Sequence, residues 1–164
     1  GVPGDVVEAA RALAQASEKP GYKLTLKMPC YLPVMQFATS SALREQLYRA
    51  YTTRASDQAA PEYVKFDNTA TMQALLALRQ EEADLLGYSN FAQVSLVPKM
   101  AQSPEQVVSF LRDLATKARP YAEKDLADMR AFAAESLGMP DPQAWDWPYV
   151  GEKLKEARDR KSVV

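Results

Sequence analysis

Residues 103–136, SPEQVVSFLRDLATKARPYAEKDLADMRAFAAES, decide the fold of this chain. Ser103 can act as an N-cap, Pro104 suits the first helical position, and Gln106 completes a capping box. Apolar residues then recur at steps of three and four, which predicts an amphipathic helix. Pro120 lies inside this pattern, where a proline costs about 3 kcal/mol. We therefore expect one long helix kinked at Pro120, or two helices if the proline breaks it.

Besides a short helix expected over residues 90–96, four other segments carry helical patterns on either side of this one. A helix is expected within residues 1–19, a second over 40–53, and a third over 67–86 with Gly87 as its C-terminal cap. Asp146 is placed to cap a last helix. The periodicity therefore predicts a mainly α chain built from several helices.

One short stretch breaks the helical pattern. Residues 22–26, YKLTL, alternate in polarity and predict a short strand. Pro29 and Pro33 interrupt the next ten residues, so we expect a turn there with at most one helical turn. A lone strand leaves its backbone groups unpaired. This indicates that the chain belongs to a larger protein.

The chain contains no histidine and a single cysteine, Cys30. Most zinc hydrolase sites and every Ser-His-Asp triad need an imidazole, and thiolate cages need several cysteines. The six glycines form no phosphate-binding loop, and no calcium loop of alternating acids occurs. Cys30 lies between Pro29 and Tyr31, with no cationic residue or histidine beside it of the kind that activates a cysteine nucleophile. We expect no catalytic and no metal-binding residue in this chain.

Composition limits the environment and the partners of the chain. Its net charge is −1, which argues against a nucleic-acid partner. No apolar run approaches the roughly 18 residues that span a bilayer, and no signal segment opens the chain. One cysteine cannot form an internal disulfide, which fits a reducing compartment. We expect a cytoplasmic protein with no membrane partner.

Two polar residues after the second helix are candidates for substrate contacts. Arg54 and Asp57 lie in TRASD, residues 53–57. The simpler interpretation is a helix end, where a cation interacts favourably with the helix dipole and an aspartate turns the chain. The functional interpretation places Arg54 or Asp57 at a substrate channel.

Aromatic residues near the last helix give a third candidate. Trp145, Trp147 and Tyr149 could stack on a ligand, although such clusters more often anchor a helix start in a core. Tyr149 is kept as a candidate for substrate binding.

Several runs of residues resemble one family when they are taken together and in order. They are YKLTL (22–26), YLPVM (31–35), LREQLYRAY (43–51), TRASD (53–57), LALR (76–79), LLGY (85–88), SL (95–96), KMA (99–101), WD (145–146) and KL (153–154). On these runs, from about residue 21 to 154, the chain resembles the thimet-type zinc oligopeptidases.

The resemblance implies a parent enzyme of known type. Members of this family are cytoplasmic zinc peptidases that cleave short peptides, with two helical lobes flanking a narrow channel. Their zinc is held by a His-Glu-x-x-His helix, whose glutamate activates the zinc-bound water. That motif lies downstream of the stretch that this chain resembles. The resemblance therefore implies zinc as the cofactor of the parent and carries no catalytic or metal residue to this chain.

The sequence departs from the family in two places. The family commonly has a second tyrosine after the position of Tyr149, where this chain has Val150. The tail, residues 158–164, no longer looks like the family. The departure at Val150 weakens the case for a substrate contact by Tyr149.

These observations support two hypotheses. In the first, the chain is a fragment of a zinc metallo-oligopeptidase, inactive alone, with an N-terminal helix (1–19), a strand and turn segment (20–37), a helical channel-wall lobe (38–157) and the atypical tail (158–164). Its partners are short peptides through the full-length parent and the missing remainder of the parent chain, and the cut lobe exposes apolar surface that allows self-association. In the alternative, the chain is an independent α-helical protein-interaction module.

Overall fold

The computed structural model describes the backbone of residues 1–162 and the side chains of residues 1–159. Seven α-helices follow one another over these residues. They are α1 (Gly4–Ala16), α2 (Met28–Phe37), α3 (Ser41–Thr52), α4 (Thr69–Leu85), α5 (Phe91–Leu96), α6 (Pro104–Leu137) and α7 (Trp147–Ser162). A short 3₁₀ helix, Pro61–Phe66, precedes α4. The expected mainly α class is confirmed.

The predicted strand at residues 22–26 is wrong. The described residues contain no strand, so this stretch has no neighbour with which to form a ladder. Its polar groups bond to other elements: the Lys23 N–H donates to the Ala10 carbonyl at 2.9 Å, and the Thr25 N–H donates to the Cys30 sulfur at 3.3 Å. Alternation in polarity therefore reflects packing of an extended segment on α1.

The expected turn after this segment is also wrong, because α2 runs for ten residues. Pro29 lies in the first turn of the helix, where a backbone N–H has no acceptor within the helix. The N–H that proline lacks therefore costs no hydrogen bond there. Pro33 lies inside the helix, and Val34 and Met35 beside it are buried. Burial of this apolar segment outweighs the helix-breaking tendency of Pro33.

The helix α6 is one continuous element of 34 residues that includes Pro120. Of the two sequence alternatives, the single long helix is therefore the one found. Its start follows the sequence signal, since the Ser103 hydroxyl accepts a hydrogen bond from the Gln106 N–H at 3.2 Å. No helix over the described residues is both long enough and apolar enough to cross a membrane.

The chain divides into two compact units. The first unit comprises residues 1–54 and 126–164, of which 163–164 lie outside the described residues, as does that part of the tail prediction. Its core consists of Val34, Met35, Ala38 and Leu47. The helix α2 supplies two of these four residues, Ala38 follows directly at its C-terminal end, and the helix packs against α1, α3 and α7. It is therefore the central helix of this unit.

The second unit comprises residues 55–125. The helix α4 packs on α5, and Ala83 in α4 is the one residue of this unit that is fully buried among those described. Gly87 has φ +77°, a left-handed conformation that suits glycine, and α4 ends there as the sequence predicts. This unit has a small core and many exposed apolar side chains.

Candidate functional site

The two sequence candidates in the first unit, Arg54 and Tyr149, each take part in a contact between a cation and an aromatic ring. The guanidinium carbon of Arg54 stands 4.7 Å from the centroid of the Tyr51 ring. Tyr51 stacks in turn on Tyr31, with ring centroids 4.3 Å apart and an angle of 21° between the planes. Arg54 itself is exposed. The stack fixes the position of an exposed cation at the end of α3.

Tyr149 occupies the first turn of α7 and is partly buried. Its ring centroid lies 4.4 Å from the guanidinium carbon of Arg44 and 5.8 Å from the ammonium nitrogen of Lys153. The ring therefore packs between two cations. Among the described residues no contact joins Tyr149 to Arg54. Asp57, the remaining candidate, lies in the second unit.

The strongest polar feature of the first unit is a buried ion pair. Arg44 in α3 and Asp146 before α7 are 1% and 3% exposed, and the Arg44 Nη2 donates to Asp146 Oδ1 at 2.5 Å. The Arg44 Nη1 donates to the carbonyl of Ala38, at the end of α2. One side chain thus ties together the end of α2, the body of α3 and the start of α7.

The carboxylate of Asp146 has further partners. Its Oδ1 accepts from the Ser41 hydroxyl at 2.8 Å, and its Oδ2 accepts from the Gln143 N–H at 2.9 Å. The Trp145 ring N–H donates to the same Ser41 oxygen at 3.1 Å. We call Ser41, Arg44, Trp145, Asp146 and Tyr149 the Arg44 network.

The network leaves one buried polar atom without a hydrogen bond. Over the described residues, the Nε of Arg44 is the only buried side-chain nitrogen or oxygen with no partner. The Tyr149 ring stands over this guanidinium and provides a cation–π contact there. Arg44 and Asp146 at its centre are buried, so this ion pair holds three helices together and is not exposed to a ligand.

The sequence pattern did not identify Arg44, and it predicted only that Asp146 caps the last helix. The backbone of Asp146 does precede α7, and its carbonyl accepts from the Val150 N–H at 2.9 Å. Its carboxylate, however, bonds to Arg44, Ser41 and Gln143. The available signal was the presence of Arg44 beside the apolar stripe of α3, since a buried charge needs a partner.

The pKa of Asp146 is lowered by the network. Burial alone raises this pKa, but the hydrogen bonds from Arg44, the Gln143 N–H and Ser41, together with the charge of Arg44, outweigh that effect. A carboxyl with a lowered folded-state pKa stabilises the fold above its unfolded value, which is about 3.9. This stabilisation is lost as the pH falls through the folded pKa.

We therefore expect stability to fall below about pH 4 through Asp146. Urea unfolding of the unsubstituted chain and of Asp146→Asn, followed by circular dichroism from pH 7 to pH 3, measures this contribution. The asparagine cannot ionise, so the difference in stability between the two proteins should narrow below about pH 4. A difference that stays constant over the whole range would show that Asp146 does not contribute.

No candidate metal site occurs among the described residues. No group of three or more cysteine, aspartate and glutamate side chains is placed to hold an ion, and the whole sequence lacks histidine. The described side chains therefore do not fit a zinc site of the kind that the resemblance implies for the parent enzyme.

Comparison with known proteins shows the family of the chain. Peptidase family M3 matches residues 34–162. The chain is 52% identical to oligopeptidase A of Salmonella typhimurium over 156 residues, which is 95% of this chain and 23% of that protein. The values for oligopeptidase A of Escherichia coli K12 are the same, and saccharolysin of Saccharomyces cerevisiae is 33% identical over 93% of this chain and 21% of its own length.

The chain thus spans about a quarter of the length of these relatives. The resemblance on which the sequence analysis relied is confirmed, and the match extends through α3 and the Arg44 network. This chain belongs to peptidase family M3.

Proposed function

We propose that the chain is the helical scaffold of a zinc metallo-oligopeptidase that hydrolyses short peptides. The observation that carries this proposal is the 52% identity to oligopeptidase A, which extends over 95% of the chain and only 23% of the relative. In this proposal the parent acts in the cytoplasm, and its zinc and catalytic groups belong to the remaining three quarters. Residues 38–157 form part of a channel wall that limits access to short peptides.

Arg54, Asp57 and Tyr149 are the proposed substrate contacts. Arg54 supports this assignment best, because its guanidinium is exposed and its position is fixed by Tyr51. An exposed guanidinium of this kind can bind a peptide carboxylate. Tyr149 is partly buried against Arg44, so its proposed contribution is to shape the wall.

A chimera tests the proposed function. The matching segment of Escherichia coli oligopeptidase A is replaced with this chain, and hydrolysis of a short peptide is measured with and without a chelator. We expect chelator-sensitive activity near that of the unmodified enzyme, because about half of the residues are identical. An unrelated helical segment of the same length is the control. A soluble chimera without activity would contradict the proposal.

The alternative is an independent α-helical protein-interaction module, for which the exposed apolar side chains are the supporting observation. The proposed fragment explains the same side chains, since a piece of a larger protein exposes surface that the remainder would cover. It also leads us to propose that the isolated chain associates with itself without a fixed stoichiometry. Sedimentation distinguishes such open-ended association from a defined complex with one partner.

A further inference from the structure

The part of α6 that belongs to the second unit, residues 104–125, carries a broad face of exposed apolar side chains. No Cα atom of α4 or α5 lies within 8 Å of a Cα atom of α6. The exposed apolar side chains on this part of the helix are Val108, Phe110, Leu111, Leu114 and Tyr121. We call these five residues the α6 apolar face.

The width of this face indicates how many neighbours it needs. At about 100° per residue, the five side chains cover an arc of about 160° around the helix. A two-helix seam uses a narrower stripe, whereas a surface helix that packs on a globular core shows an arc of about 100° or more. The α6 apolar face therefore has the pattern of a helix that packs on a core rather than on one other helix.

The opposite side of α6 is polar, and its side chains form ion pairs and hydrogen bonds within the helix. Lys117 pairs with Asp113, and Arg119 pairs with Glu123, each at 2.7 Å and one helical turn apart. Thr116 lies in the middle of this side and donates to the Arg112 carbonyl. These exposed groups satisfy one another along the helix, which marks this side as the one that faces water.

The helix α4 shows the same excess of apolar surface. It contacts α5, where the Arg79 guanidinium carbon stands 4.9 Å from the centroid of the Phe91 ring, and Ala83, one turn after Arg79, is its one buried residue. Leu78 and Leu85, which are 65% and 82% exposed, lie about 140–160° around the helix from Ala83. A partner on the Ala83 side cannot cover them. Both long helices of the second unit therefore have apolar surface for a further partner.

We propose that the α6 apolar face docks on the rest of the parent peptidase, in the part of the polypeptide that corresponds to the unmatched three quarters of oligopeptidase A. This inference rests on the proposed function. Two observations favour this occupant over a second copy of the chain. The arc is wider than a symmetrical pair of helices would bury, and the relatives have about three quarters of their length outside the matched 23%, which can supply several neighbours.

The test uses the chimera together with a matched pair of substitutions. Phe110→Asp places a charge on the α6 apolar face, and Thr116→Asp places the same charge on the polar side of the same helix. Phe110 is 63% exposed in this chain, so neither change should unfold the isolated chain. In the chimera, Phe110→Asp should remove most of the soluble yield and activity, because it buries an unpaired charge. Thr116→Asp should leave both unchanged.

Equal behaviour of the two substituted chimeras would overturn the inference. A chimera that fails with the unsubstituted chain would count against the proposed function, and the isolated chain then decides the inference. There we expect an apolar dye to bind, with its fluorescence reduced by Phe110→Asp and unchanged by Thr116→Asp. A defined dimer that Phe110→Asp dissociates would identify a second copy as the occupant and would also overturn the inference.

Discussion

Replacing Arg44 with methionine should lower the free energy of unfolding of the first unit by about 3–5 kcal/mol. The substitution removes the Nη2 donor of the 2.5 Å ion pair and leaves Asp146 buried with an unpaired charge. It also removes the link to the Ala38 carbonyl and the cation above the Tyr149 ring. Since a domain is stable by only about 5–15 kcal/mol, much of the total would be lost.

The measurement can be confined to the first unit. The two tryptophans of the chain, Trp145 and Trp147, both belong to this unit, so tryptophan emission during urea unfolding reports on it. Arg49→Met is the matched control in the same helix. The guanidinium carbon of Arg49 stands 5.2 Å from the centroid of the Trp145 ring, so the two variants are compared by their unfolding midpoints and not by emission intensity. Arg49 pairs with Glu45 at 2.8 Å, but the two side chains are 64% and 37% exposed. Such a pair contributes about 1 kcal/mol or less.

A second variant distinguishes the loss of the ion pair from the cost of leaving Asp146 buried without a cation. Arg44→Met combined with Asp146→Leu removes both charges, and buried pairs replaced by apolar residues often lose little stability. We expect the double variant to recover much of the loss. Equal unfolding midpoints for Arg44→Met and Arg49→Met would contradict the role of the Arg44 network.

The sequence was sufficient to predict the parts of the fold that depend on local chemistry. Apolar spacing and the Ser103 cap predicted α6, and Gly87 predicted the end of α4. In each case the signal and the element that it determines lie within a few residues of each other. Helix propensity, capping and periodicity therefore predict such elements correctly.

The errors occur where distant residues decide the outcome. The ten-residue α2 forms in spite of Pro33 because its apolar residues belong to the core of the first unit. The local sequence pattern does not predict that these residues are buried. Residues 22–26 lack a strand because their backbone groups bond to Ala10 and Cys30. Tertiary contacts override local preference in both segments.

The candidate site was predicted less well than the fold. Arg44 resembles an ordinary charged residue of α3, since its partner Asp146 is 102 positions further along the chain. Arg54 was recognised as a candidate, but the Tyr31 ring that stacks on its neighbour Tyr51 comes from α2, earlier in the chain. Pairings of this kind need the folded chain.

The second large effect is the absence of catalysis by the isolated chain. Water must be activated for peptide hydrolysis, and in zinc peptidases imidazole and carboxylate ligands hold the ion that activates it. This sequence has no histidine, and its described carboxylates form no group of three that could hold an ion. We therefore expect the parent enzyme to be active and this segment alone to be inactive.

Zinc analysis of the purified chain, combined with a short-peptide cleavage assay, tests this account most directly. The control is Escherichia coli oligopeptidase A purified and assayed in the same way. We expect far less than one zinc per chain and no cleavage above the background of the buffer. Stoichiometric zinc with peptide cleavage that a chelator abolishes would contradict the account, because the catalytic centre would then lie within these 164 residues.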